Sequence, residues 1–152
     1  GLSMGGYGAL RNGIKYQDTY SVIASFSGAI YKNALPFEED SGSPFFLTTR
    51  YAKSIFKDQD YYDSHGNQLF KAIEKVENPS DLKIFMTCGT EDWLLDKSRE
   101  FSRFLFEKGV PVIYKEKSGG HEWDFWDWSI KEFLDWWIPE DTDQGVSSGN
   151  VR

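Results

Sequence analysis

The chain has 152 residues, the size of one domain, and its 24 acidic and 17 basic residues give a net charge of −7. This balance argues against binding to nucleic acid, whose phosphates are met mainly by lysine and arginine, and against docking on anionic lipid. No apolar run reaches the length of a membrane span, and the single cysteine, Cys88, cannot form an internal disulfide. The lone cysteine favours a cytoplasmic location, but the chain begins with Gly1 instead of methionine, so the compartment is not determined. The oligomeric state is not determined either.

Strand and helix signals alternate along most of the chain. A first helix is predicted to follow the glycine-rich start and to end near Tyr16. The predicted strands cover 20–27, 83–88 and 110–117, and the other predicted helices cover 46–56, 67–76, 95–108 and 122–137. This alternation predicts an α/β fold with a parallel sheet and helices on both faces. Because ligands of such sheets bind at the carboxyl ends of the strands, functional residues are expected at the start of the chain and after Cys88 and Lys117.

The first five residues fit the pattern Gly-x-Ser-x-Gly, in which a strand turns sharply into a helix. The glycines are expected to leave room for neighbouring elements, while Ser3 adopts a strained backbone and exposes its hydroxyl near the positive end of the helix. The backbone N–H of Met4 is expected to point at a developing oxyanion. The match alone is weak, because glycine-rich turns are common, but the helix-like continuation supports it.

Only two histidines are available as a general base for such a serine. His121 follows two glycines directly after a predicted strand, where a catalytic loop is expected, although a structural role at the start of the last helix is the alternative. His65 lies in a polar turn and is interpreted as a solvated loop residue.

A carboxylate that orients the histidine should lie between the serine and the histidine in the chain. Glu91 and Asp92 both qualify by position, because both follow a predicted strand. Each is also compatible with a capping role at the next helix. Asp96 would lie inside that helix and is less suited.

Three motifs, 1–9 (GLSMGGYGA), 88–92 (CGTED) and 119–123 (GGHEW), occur in this order. Together they resemble the tributyrin-esterase branch of the esterase D-type α/β-hydrolases, a superfamily that also holds S-formylglutathione hydrolases, feruloyl esterases and acetylxylan esterases. The resemblance implies that Ser3 is the nucleophile, Asp92 the acid and His121 the base, with Met4 as one oxyanion donor. It implies hydrolysis of a small-molecule ester, with short acyl chains favoured, through an acyl-enzyme.

The resemblance implies no metal and no organic cofactor. The second histidine of a His-Glu-x-x-His zinc motif is also absent, since Phe125 takes its place.

The resemblance further implies that residues 1–138 form the C-terminal part of one α/β-hydrolase domain, with 31–79 as a cap-like insertion. The family takes its second oxyanion donor and its first strands from segments that are not in this sequence, so the isolated chain is expected to be inactive or poorly folded. Residues 139–152 are mostly polar and are predicted to be a disordered tail.

Aromatic residues make up 17% of the chain, which indicates a bulky core, an aromatic-lined pocket, or both. Phe37 and Tyr51 from the cap-like segment, and Trp93 and Trp123 beside the acid and the base, are predicted to line the substrate pocket. For Phe37 and Tyr51, packing of the cap onto the body is the alternative, and the other aromatics that follow the base, Phe125, Trp126 and Trp128, are assigned to core packing.

Two other functions fit parts of the pattern. The first is an enzyme of the same fold with another substrate, such as an S-formylglutathione hydrolase, a feruloyl esterase or an acetylxylan esterase. The second is a non-catalytic carbohydrate-binding module, since six tryptophans and eight tyrosines suit stacking on sugars. Several of these tryptophans fall within a predicted amphipathic helix, which disfavours an exposed binding platform.

Overall fold

A computed structural model describes residues 1–32 and 49–138, with the side chains of 49–51 excepted. The predictions for Phe37, for the beginning of the 46–56 helix and for the 139–152 tail lie outside the described residues, and so does the side chain of Tyr51. Among the described residues, no helix is both long and apolar enough to cross a bilayer.

Three parallel strands, β1 (Ile23–Phe26), β2 (Ile84–Gly89) and β3 (Val112–Lys117), form the sheet in the order β1-β2-β3. In the register of the sheet, Ile84 pairs with Ile23 on one side and with Val112 on the other. The sheet continues beyond β1, because Leu2 forms a parallel bridge with Phe26. All three predicted strands are confirmed, with ends that differ by at most three residues.

Six α-helices lie among the described residues: α1 (Met4–Lys15), α2 (Thr49–Phe56), α3 (Gln59–Ser64), α4 (Leu69–Ile73), α5 (Leu95–Glu107) and α6 (Trp123–Trp137). A short 3-10 helix covers Pro79–Asp81. The helix α3 was not predicted; it is capped by the Asp58 side chain, which accepts a hydrogen bond from Tyr61 N at 2.7 Å.

The predicted 67–76 helix was too long. It ends at Ile73 because Lys75 N and Val76 N bond to carbonyls three residues back, which is the tighter 3-10 pattern. Helical spacing of apolar residues therefore predicted the buried side of this segment but not the change in its backbone.

The core lies on both faces of the sheet, as the alternation of strands and helices predicted. Successive β2 side chains point to opposite faces: Ile84 and Met86 pack towards α1, α4 and α5, and Phe85 packs towards α6. Every residue of β2 is buried, which is typical of a central parallel strand covered on both sides. A buried hydrogen bond of 2.8 Å from Thr87 Oγ1 to Ser129 Oγ ties α6 to this strand.

Because the strands are parallel, their carboxyl ends lie along one edge of the sheet. That edge carries the Leu2–Ser3 segment, the residues after β1, the turn after β2 and the loop after β3. The sheet thereby brings together chain positions that are up to 118 residues apart.

Candidate active site

Ser3 lies at a sharp turn between an extended segment and α1. Its backbone has φ 52° and ψ −122°, a conformation that costs free energy for any residue with a side chain. Hydrogen bonds on both sides fix this conformation: Ser3 N donates to Phe26 O at 2.9 Å, and Ser3 O accepts from Tyr7 N and Ala29 N at 3.1 Å each. The strained serine predicted from the Gly-x-Ser-x-Gly pattern is therefore present.

The glycines around Ser3 differ in what they make room for. A methyl group added at Gly1 would clash with the backbone of Gly5, and one added at Gly6 would stand 3.0 Å from Gly28 Cα and 2.8 Å from Ser25 Oγ. A methyl group at Gly5 meets nothing within 4 Å among the described residues. The expectation that the motif glycines admit close neighbours thus applies to Gly1 and extends to Gly6, but the described residues give no such reason for Gly5.

Asp92 lies in the turn between β2 and α5, and its side chain is fully buried. Its Oδ1 accepts a hydrogen bond from Leu94 N at 2.9 Å, which fixes the carboxylate relative to its own turn. Its Oδ2 lies 2.9 Å from His121 Nδ1. A buried carboxylate requires such partners, because an ion without them would pay a large cost in solvation.

His121 lies between Asp92 and Ser3, with its Nε2 at 2.9 Å from Ser3 Oγ. An ionised carboxylate only accepts hydrogen bonds, so Nδ1 carries the proton that points to Asp92. Nε2 of the neutral ring is then left with its lone pair towards the serine hydroxyl. The side chain of His121 is 21% exposed, so the imidazole lies near the surface, whereas the carboxylate behind it is buried.

The neighbouring carboxylate, Glu91, points to the loop that carries the histidine and not to the imidazole ring. It accepts hydrogen bonds from Gly119 N and, at 3.2 Å, from Ser118 Oγ. The bond from Gly119 N is the main cause of the lowered pKa of this carboxyl. Asp96 is exposed in the first turn of α5.

His65 lies apart from this arrangement, in the exposed turn that follows α3. Its Nδ1 is 2.8 Å from Ser64 Oγ, and its ring stacks on Tyr61 at 3.9 Å. The pair resembles a serine and a base, but within the described residues no carboxylate hydrogen bond to His65 occurs.

Two tryptophan rings contact the histidine, and a third tryptophan packs against one of them. The Trp93 ring is centred 5.4 Å from the imidazole, and the Trp126 ring meets it edge to face at 5.0 Å. Trp93 is 47% exposed and Trp123 is 66% exposed, whereas Trp126 is buried. Trp123 packs against Trp126 at 5.3 Å, on the aromatic neighbour of the histidine.

The position of Trp126 beside His121 was not predicted from the sequence, which assigned this residue to core packing. Its indole N–H donates to Ser27 Oγ at 3.2 Å, and Ser27 has φ 47° directly after β1. The available signal was the distance along the chain, since Trp126 lies little more than one helical turn after His121. Nothing in the sequence indicated Ser27, because its partner is 99 residues away.

No cluster of three or more metal-ligating side chains occurs within residues 1–32 and 49–138. What the arrangement can do chemically is pass a proton from a hydroxyl to an imidazole that a buried carboxylate holds in one orientation. That capacity is the one used in acyl transfer by serine hydrolases.

The Putative esterase family matches residues 1–136. The chain belongs to this family. An acetyl esterase of Caldicellulosiruptor saccharolyticus is 34% identical over 138 residues, which are 90% of this chain and 52% of that relative. The family predicted from the three sequence motifs is confirmed.

Two solved structures extend the comparison to the fold. One is described as a ferulic acid esterase, is 25% identical and has a TM-score of 0.66 over 90% of this chain and 48% of its own. The other is the fluorophosphonate-binding serine hydrolase FphF of Staphylococcus aureus, which is 22% identical with a TM-score of 0.72 over 90% of this chain and 51% of its own. The chain spans about half the length of these relatives, and the predicted partial α/β-hydrolase fold is confirmed.

Proposed function

We propose that the protein hydrolyses carboxylic esters, with Ser3 as nucleophile, His121 as general base and Asp92 as the orienting acid. The observation that carries the proposal is the line of two hydrogen bonds, each 2.9 Å long, from Ser3 Oγ through the imidazole to Asp92 Oδ2. Membership of the esterase family supports the same reaction class.

In the first step, Ser3 Oγ attacks the ester carbonyl while its proton moves to His121 Nε2. The imidazolium that forms is stabilised by the buried carboxylate of Asp92, which keeps its charge throughout. His121 then gives the proton to the leaving alcohol, and the acyl group remains on Ser3. Water, deprotonated by the same nitrogen, attacks this acyl-enzyme and releases the acid.

The backbone N–H of Met4 is proposed as one donor to the oxyanion. Met4 is the first residue of α1, so its N–H is among those that a helix leaves without a partner in the helix. The positive end of the helix adds a favourable field for the negative oxygen.

The substrate side of the site is proposed to include Trp93 and Trp123. Both rings are exposed next to the histidine or to its aromatic neighbour, so they are available to a ligand. Phe37 and Tyr51 remain predictions for this pocket. Short acyl chains are favoured, in line with the acetyl esterase relative.

A feruloyl ester is the second candidate substrate, because a structure described as a ferulic acid esterase is among the neighbours and exposed indole rings suit an aromatic acid. Rates with p-nitrophenyl acetate, p-nitrophenyl butyrate, methyl ferulate and S-formylglutathione separate the candidates. Turnover of the thioester alone would refute the carboxylester assignment.

The reaction class is tested by labelling the full-length protein with a fluorophosphonate probe. We expect the wild type to be labelled at Ser3, the Ser3→Ala variant to be unlabelled and inactive, and Asp92→Asn to lose about 10⁴-fold in kcat. Ser64→Ala is the matched control, because Ser64 also contacts a histidine. A wild type that does not react would support a carbohydrate-binding module. Loss of labelling in Ser64→Ala would contradict the assignment of Ser3 as the nucleophile.

A further inference from the structure

The loop that carries the histidine, residues 118–121 (the histidine loop), has little conformational restraint of its own. Gly119 has φ 149° and is followed by a second glycine. The backbone of glycine has more conformational freedom than that of any other residue. His121 must nevertheless meet both Ser3 and Asp92 within hydrogen-bonding distance. The loop therefore needs restraints from outside.

Those restraints come mainly from the turn between β2 and α5, residues 90–94 (the acid turn). The Glu91 carboxylate accepts hydrogen bonds from Gly119 N and Ser118 Oγ, and Glu91 N donates back to Gly119 O at 3.2 Å. Thr90 N extends the pairing with a 3.0 Å bond to Lys117 O. Glu91 thus bonds to both the N–H and the carbonyl oxygen of Gly119, two residues before the histidine.

Glu91 is also the residue next to Asp92. One turn therefore supplies a carboxylate for the imidazole ring and another for the backbone of the loop that carries this ring. If the acid turn shifts, the Glu91 contact to the loop and the Asp92 contact to the imidazole shift together. The distance from Asp92 to His121 is therefore expected to stay the same.

We propose that Glu91 is a positioning residue that holds the histidine loop against the acid turn, so that His121 stays in line with Ser3 and Asp92. The role rests on the proposed esterase function. Glu91 itself contacts none of the reacting groups; its carboxylate acts through Gly119 and Ser118. Because its side chain is exposed, its contribution is to the geometry of the loop more than to stability.

The test compares Glu91→Ala, Glu91→Gln and Glu116→Ala in the full-length protein. Glu116 is the matched control, because it is an ion-paired glutamate on β3 whose partner is Arg99 and not the histidine loop. We expect Glu91→Ala to lower kcat by about 10- to 100-fold with little change in KM, since a small misplacement of a catalytic group slows the reacting step. Glu91→Gln keeps one acceptor oxygen, so its loss is expected to be smaller, and Glu116→Ala is expected to behave like the wild type.

A second readout follows the hydrogen bond from His121 Nδ1 to Asp92 directly, as a low-field proton resonance in NMR spectra. We expect this resonance to broaden or disappear in Glu91→Ala and to persist in Glu116→Ala. The chain has only one other histidine, His65, whose signals serve as the internal reference for an intact fold.

The outcomes separate the two proposals. A wild type without esterase activity would count against the proposed function. An active wild type, with Glu91→Ala equal to it in kcat and in the resonance, would overturn the positioning role. If Glu91→Ala does not fold, Glu91→Gln decides: an unchanged kcat and resonance contradict the role, and a lowered kcat with an intact His65 signal supports it.

Discussion

Asp92 and Glu91 are neighbours with the same chemical group, yet their carboxylates have different partners. Asp92 is buried and bonds to the imidazole, whereas Glu91 is exposed and bonds to the loop backbone. The difference arises because the turn after β2 directs successive side chains in opposite directions. At the scale of single residues, the assignment of roles depends on such directions more than on residue type.

Trp93 is the residue for which an effect on substrate binding is expected. Its ring lies 5.4 Å from the imidazole and is 47% exposed, so it is placed to stack on a bound ester. We expect Trp93→Ala to raise KM by about threefold to tenfold while kcat changes little, because the lost contact serves ground state and transition state alike.

The control for this substitution is Trp137→Ala, since Trp137 is 40% exposed at the end of α6. KM and kcat of both variants are measured by steady-state kinetics with esters of two acyl chain lengths. A Trp93→Ala variant that loses kcat and keeps its KM would show that the ring supports the histidine and does not bind the substrate.

At the scale of elements, the site is assembled where β2 and β3 end side by side. The two strands pair as far as Gly89 and Lys117, and the acid turn and the histidine loop then continue next to each other. This approach is close, because a methyl group added at Gly89 would clash with Gly119 O and stand 2.7 Å from its carbonyl carbon. A glycine is needed at position 89 because the neighbouring loop leaves no space for a side chain.

Gly89→Ala is therefore expected to destabilise the protein by about 1–3 kcal/mol and to lower kcat, because either the turn or the loop must shift. Gly8→Ala is the matched control: a methyl group there meets nothing within 4 Å among the described residues, and alanine favours the α1 helix by up to about 1 kcal/mol. Urea unfolding measures the stability of both variants, and steady-state kinetics measure their kcat. Equal stability of Gly89→Ala and the wild type would contradict the close approach.

At the scale of the whole molecule, the central strand is covered on both faces and its side chains have no access to water. Cys88 on β2 is 0% exposed, and burial raises the pKa of its thiol to about 11 from a usual value of 9.0. The fold thus favours the neutral thiol. The contribution of Cys88 to stability is present below pH 9.0 and is lost as the pH rises towards about 11.

We expect Ellman's reagent to react with Cys88 only after unfolding at pH 8. We also expect the free energy of unfolding of the wild type to fall more steeply between pH 9.0 and about 11 than that of Cys88→Ala. The comparison of the two proteins removes the effect of the tyrosines, which also titrate in this range. Parallel pH profiles, or rapid reaction of the folded protein, would show that the thiol is accessible.

The sequence by itself determined the three strands, five of the six described helices, the family and three candidate residues. These follow from local patterns: apolar spacing, a glycine-bounded serine, and a carboxylate and a histidine after strands. It left Glu91 and Asp92 as equals by position, and only the resemblance separated them. It gave Trp126 no role beside the histidine and extended α4 past Ile73. The end of α4 is set by local 3-10 hydrogen bonds. The directions of the two carboxylates and the position of Trp126 depend instead on contacts between residues far apart in the chain, such as Trp126 with Ser27. Contacts of that kind exist only once the parallel sheet has brought the carboxyl ends of its strands to one edge, so the tertiary structure alone decided them.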